Sequence, residues 1–130
     1  MKVYLAGGSS EALLVRRWAD KCRDVGIEIT HDWAADVLAN PAGDAALTTG
    51  ECIKHALADL PGGAAADWLW YLVPIAPRFG AGVEVGHALS RTPIVVSGLW
   101  AKSIFNSLAE HIFDDHHAAF EWLAARARAR

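Results

Sequence analysis

Residues 2–30 read KVYLAGGSSEALLVRRWADKCRDVGIEIT, and the order of signals in them decides the fold. KVYLAG is a short, largely apolar run that suits a buried strand, and it leads straight into Gly7 and Gly8. Ser9 or Ser10 offers a cap for a helix whose Leu14, Trp18, Cys22 and Val25 fall on one side. Gly26 ends that helix, and IEIT is the next strand.

The same alternation continues through the chain. HDWAADVLANPAGDAAL (31–47) reads as a long polar-and-alanine connection. TTGECIKHALADL (48–60) reads as a helix opened by Thr48 and Glu51 at capping-box spacing, and PGGAA as the turn after it. DWLWYLV (67–73) and TPIVVSG (92–98) are strands, with the loop PIAPRFGAG and a helix from about Val83 to Ser90 between them. HIF (111–113) is a brief strand, and an amphipathic helix begins near His116. This order predicts a single α/β domain over residues 1–130. Its core is an open, mostly parallel five-stranded sheet with helices on both faces, flavodoxin-like or Rossmann-like.

Composition narrows the function. Hydrophobic residues are 53% of the chain, charged residues 21%, and the net charge is -3, which argues against disorder and against a polyanion partner. The RARAR near the C-terminus splays its arginines around a helix and makes a poor stripe for nucleic acid. The run WLWYLVPIAP is far short of the roughly 18 apolar residues of a membrane span. MKVYLAGG lacks a signal-peptide core, and Cys22 and Cys52 are isolated thiols, so a reducing cytoplasmic setting is expected.

In an open parallel sheet, ligands bind beyond the carboxyl ends of the strands. Glu84, in FGAGVEVGHALS (79–90), falls on that rim, directly after a Gly-Ala-Gly turn. In the first turn of its expected helix it should be ionised, which suits a nucleophile better than an acid. An ordinary helix-start carboxylate is the competing account, weakened because Ala81 stands where a capping-box partner belongs. Gly80 and Gly82 would let a ligand approach the backbone closely.

Four segments carry a family resemblance: KVYLAG, ADLPGGAAADWLWYLVP, GAGVEVGHALSRTPIVV and HIFDDHHAAFEWL. They resemble the nucleoside 2-deoxyribosyltransferase family, including related nucleotide N-glycosidases, over most of the chain. The resemblance implies that Glu84 is the nucleophile that attacks the anomeric carbon of a nucleoside sugar. Asp59, eight residues before Asp67, is implied to be the acid beside the base, and Tyr4 to orient Glu84. For Asp59 the alternative is a charge closing a helix, which is unfavourable at a helix C-terminus; for Tyr4 it is a core aromatic. Gly7, Gly8, Ser9 and Ser10 match the loop that faces the sugar, although a simple serine cap competes. The chemistry fits two carboxyl groups, because breaking an N-glycosidic bond builds positive charge on the sugar and negative charge on the base.

Arg78 departs from the family, which often carries an aspartate six residues before the nucleophile. An arginine cannot act as a base there, but it can pair with a phosphate or a base carbonyl. The substrate is therefore expected to be a small-molecule nucleoside or nucleotide, and the resemblance implies transfer of its deoxyribosyl group to another base; hydrolysis of a nucleoside 5′-monophosphate and a non-catalytic nucleotide-binding role are the alternatives. The resemblance also implies a homo-oligomer and no cofactor.

Other signals are weaker. Gly80, Gly82 and Gly86 have the wrong place and spacing for a dinucleotide fingerprint. His111, Asp114, Asp115, His116 and His117 suit an Asp-capped helix start better than a metal site. His87 lies one turn past Glu84, facing the site or packing; His31 and Asp32 sit on the rim within reach of a substrate, and Ser97 and Asn106 are weaker site candidates. Trp68, Trp70 and Trp33 read as core or interface, although Trp33 also has the chemistry to stack on a base.

Overall fold

In the computed structural model, which describes all residues except 41, 43–46, 77, 78, 100, 102, 104 and 130, five strands form one sheet in the order β2-β1-β3-β4-β5. They are β1 (Lys2–Ala6), β2 (Glu28–Ile29), β3 (Trp68–Leu72), β4 (Ile94–Ser97) and β5 (His111–Phe113), and every pairing is parallel. The helices are α1 (Ala12–Asp24), α2 (Trp33–Ala39), α3 (Thr49–Ala64), α4 (Phe79–Ala88) and α5 (His116–Arg128). The expected α/β class and strand set are present, with IEIT shortened to two paired residues. None of the helices, among the described residues, is long and apolar enough to cross a membrane.

Alternation along the strands sorts side chains into two layers. Tyr4 and its register partner Leu69 face α3, whereas Trp70 faces α1 and α5. On the second face Trp18 meets Trp70 at 5.5 Å, and Trp68 meets Trp122 of α5 at 4.9 Å. Val3, Tyr4, Leu5, Leu69, Trp70, Val95 and Val96 are almost fully buried. Burying an aliphatic or Phe-sized side chain of this kind contributes roughly 1.5–3 kcal/mol.

Four local expectations are corrected. Neither Ser9 nor Ser10 caps α1: both lie in a 3-10 turn (Ser9–Glu11), and α1 starts from Glu11 without a side-chain cap. The buried stripe of α1 is Ala12, Val15, Ala19 and Cys22, because small residues let the helix lie close to the sheet while Trp18 reaches sideways over it. At its end, Gly26 has φ +80°, and Ile27 N–H bonds back to Cys22 C=O, a Schellman stop.

The connection 31–47 contains α2, capped where Asp32 Oδ1 accepts the Ala35 N–H at 3.1 Å. Asp32 is also held by Arg16 and Arg23 of α1, which gives it a structural task.

The fourth correction bears on the site. The Thr48–Glu51 capping box is present, but α3 does not stop at PGG; it runs through Pro61, Gly62 and Gly63 to Ala64. A Cβ on Gly62 would lie 2.9 Å from the Tyr4 ring and from His31 Cβ. The glycine is there so that helix backbone can rest on those two side chains. Thr30 Oγ1 donates to Gly62 C=O at 2.8 Å and Thr92 Oγ1 to Gly63 C=O at 3.0 Å, pinning the same segment to the strand ends.

Candidate active site

The strand order places β2 and β3 on opposite sides of β1, so the connections leaving β1 and β3 diverge and leave a crevice at their carboxyl ends. A cleft of about 460 Å³ occupies this place, a size suited to a small organic ligand. Gly7 and Ser9 after β1, Trp33 and Asp36 on α2, Asp59 on α3 and Gly80 and Glu84 on α4 contribute to its wall.

Tyr4, Asp59 and Glu84 come together here from three elements. Tyr4 is fully buried on the central strand, and its hydroxyl interacts electrostatically with both carboxyl groups. Burial, then Glu84, then Asp59 push the phenol far above its ordinary range, so it stays a neutral hydroxyl. Tyr4 Oη and Glu84 Oε2 are buried and lie outside strict hydrogen-bond geometry with the described residues. The hydroxyl is nonetheless close enough to favour the ionised form of Glu84.

That help is outweighed. Burial, and then the neighbouring Asp59 carboxylate, push Glu84 up to about 8, so in the free protein it is mostly protonated at neutral pH. The expectation of an ionised Glu84 is therefore corrected. Its helix begins at Phe79 rather than near Val83, which moves Glu84 out of the first turn and away from the free N–H groups.

Asp59 is also raised, by burial first, with His31 and His55 pulling it down. Its account as a helix-ending charge falls away, because α3 continues to Ala64. Asp67 has a separate task at the start of β3, accepting the Lys2 N–H at 2.7 Å.

The remaining candidates divide. Gly7, Ser9 and Gly80 line the cleft. Gly8 is buried, and Ser10, Gly82 and His87 are exposed outside the cleft's described lining. Arg78 lies outside the described residues. Ser97 is buried on the opposite face, accepting from Trp70 Nε1 and bonded to His116 Nδ1, both at 2.7 Å. His111 stacks into the Trp68–Trp122 cluster, Asp115 caps α5, and Asn106 Nδ2 donates to Ala101 C=O.

His31 and Trp33, rim residues in the sequence, and His55, which the sequence does not single out, stand in or beside the cleft. His31, directly after β2, places Nε2 3.0 Å from Asp59 Oδ1. His55 lies one turn before Asp59 on the same face of α3. Trp33 presents its ring to the cleft, fixed by an indole N–H donated to Leu5 C=O at 2.7 Å. The legible signal was position, since His31 and Trp33 follow the end of the second strand.

Among solved structures, the chain is similar to that of Clostridium botulinum CMP N-glycosidase, BcmB, at 14% identity with a TM-score of 0.56. The alignment covers 95% of this chain and 98% of that one. No protein-family model matches the chain, and no curated protein matches it. At this identity the likeness is one of fold.

Proposed function

We propose that the protein cleaves the N-glycosidic bond of a nucleoside or nucleotide. The observation that carries this reading is the meeting of Glu84 and Asp59 in one cleft at the sheet's switch point, with the buried Tyr4 hydroxyl interacting with both. The similarity of fold to a CMP N-glycosidase supports it.

Glu84 attacks the anomeric carbon as the bond to the base breaks. The bonding pair goes to the base nitrogen, which takes a proton from Asp59. Glu84 holds a proton near neutrality, and reaction proceeds from the arrangement in which that proton has passed to Asp59. Tyr4 then orients the ionised Glu84. Asp59, now a carboxylate, takes a proton from water as the oxygen displaces Glu84 and frees the sugar. A second base in place of water gives deoxyribosyl transfer, which is the reading the sequence resemblance favours.

Ile53 and Leu57 on α3 and Val83 on α4 expose apolar side chains on the two helices that wall the cleft. A homo-oligomer would cover them, and sedimentation would detect it.

The test incubates the protein with ribo- and deoxyribonucleosides and their 5′-monophosphates, with and without a free base, and follows base release by chromatography. Release in water marks a hydrolase, and release only with an acceptor marks a transferase. Turnover that survives Glu84→Ala, or none with any substrate, overturns the reading.

A further inference from the structure

His31 is held more firmly than a rim histidine requires. Its Cβ packs on the bare backbone of Gly62, and the preceding Thr30 is tied to the same residue by its hydroxyl. These contacts set Nε2 3.0 Å from Asp59 Oδ1, a buried ion-pair contact outside strict hydrogen-bond geometry, with Asp36 Oδ2 at 3.8 Å. Only about a quarter of each of the His31 and Asp59 side chains is exposed. Oδ1 is buried against the imidazole, which leaves Oδ2 of Asp59 for the cleft.

We propose that His31 is a positioning residue for the departing base: it holds Asp59 Oδ1, turns Oδ2 into the cleft, and stabilises the carboxylate left when Oδ2 gives up its proton. The inference rests on the proposed glycosidic cleavage. In this step the carbon–nitrogen pair stays with the base, the Oδ2 proton joins it, and the new charge on Asp59 is met by the His31 imidazole 3.0 Å away. The proton returns to Oδ2 from the water that releases the sugar. The whole cycle consumes one water and involves no change of oxidation state.

The charged and titratable groups around the dyad come from each packed element. Asp36 is on α2, His55 on α3 beside Asp59, Glu84 on α4, and the neutral Tyr4 on β1. His31 is the one in direct contact with Asp59 among the described residues, and it favours the ionised form.

The experiment compares His31→Ala and His31→Gln on a purine nucleoside and on its N7-methylated counterpart, whose base departs without needing a proton. His31→Ala is expected to lower kcat on the ordinary nucleoside about 10- to 100-fold, within the range of a general-acid contribution, with KM changed by less than about threefold. On the methylated substrate the loss should be at least about tenfold smaller. His31→Gln, which keeps an N–H for Oδ1, should recover part of the rate. In His31→Ala the high-pH limb should move upward, because Asp59 loses the neighbour that favours its ionised form.

Equal losses on both substrates would reduce His31 to a structural role and overturn the inference. A second readout needs no turnover: the carboxyl titration of Asp59, followed by carbon NMR, should move upward in His31→Ala, and an unmoved titration refutes the dyad alone. Absence of wild-type turnover on every glycoside would instead bring down the cleavage reading, and the inference with it.

Discussion

Replacing Glu84 by Gln should stabilise the protein even as it removes the proposed nucleophile. Burial and Asp59 raise this carboxyl from 4.5 to about 8, so the folded state binds its proton more tightly than the unfolded chain does. Each pH unit of that difference is worth about 1.4 kcal/mol. Above pH 8 the fold therefore bears up to roughly 5 kcal/mol, and partial solvent access and the Tyr4 hydroxyl reduce this to about 2–4 kcal/mol. The sign follows from proton counts. Between pH 4.5 and 8 the native state holds more proton, so wild-type stability falls as pH rises across that window and levels off above it. Gln is neutral throughout and escapes the loss. For a chain of this length the gain is on the order of 10 °C in Tm near pH 8. Paired thermal melts of wild type and Glu84→Gln from pH 4 to 9 are the assay, and the two curves should converge towards pH 4.5. A variant equally stable or less stable at pH 8, or an advantage that grows on acidification, would show that the fold holds an ionised Glu84 without cost.

Three further outcomes are expected. If the reactive pair carries one proton, kcat/KM should fall as pH rises through about 8; with a base that leaves unprotonated the same titration becomes a rise, and stopped assays across pH on the two substrates check it. Gly62→Ala should cost about 1–3 kcal/mol by pushing on the Tyr4 ring and His31, whereas Gly50→Ala, at an open position on α3, should gain about 0.4–1 kcal/mol in urea unfolding. Native protein should expose one fast thiol to a colorimetric reagent, the cleft-lining Cys52, and a second only in denaturant, because Cys22 is buried and pushed up to about 12.

The architecture is legible from strand and helix punctuation where each signal has one meaning. Gly26 ends a helix, Thr48 and Glu51 begin one, and the apolar runs pair as parallel strands. PGG has two meanings. The same residues that usually interrupt a helix let this one press its backbone against Tyr4 and His31, and only the packing partner distinguishes the cases. α2 is hidden because WAADVLA lacks a strong apolar period and relies on Asp32 for its start. Spacing alone puts Glu84 in a first helical turn and ionised. Its protonation is instead set by burial and by Asp59, which comes from another helix 25 residues earlier and has no sequence-local signature. His31 is undervalued for the same reason, since its value lies in what it touches.

The alternation along β1 has a consequence for how this protein can change. Tyr4 looks into the chemical layer, and its neighbours Val3 and Leu5 look the other way, towards the side where Trp18, Trp70, Trp68 and Trp122 interlock and Arg126 lies 3.5 Å over the Trp122 ring. A single strand thus serves as a partition between two workshops. Substitutions among the tryptophans on one side act on a different layer from the cleft on the other, so stability and the shape of the cleft can be tuned through separate sets of residues.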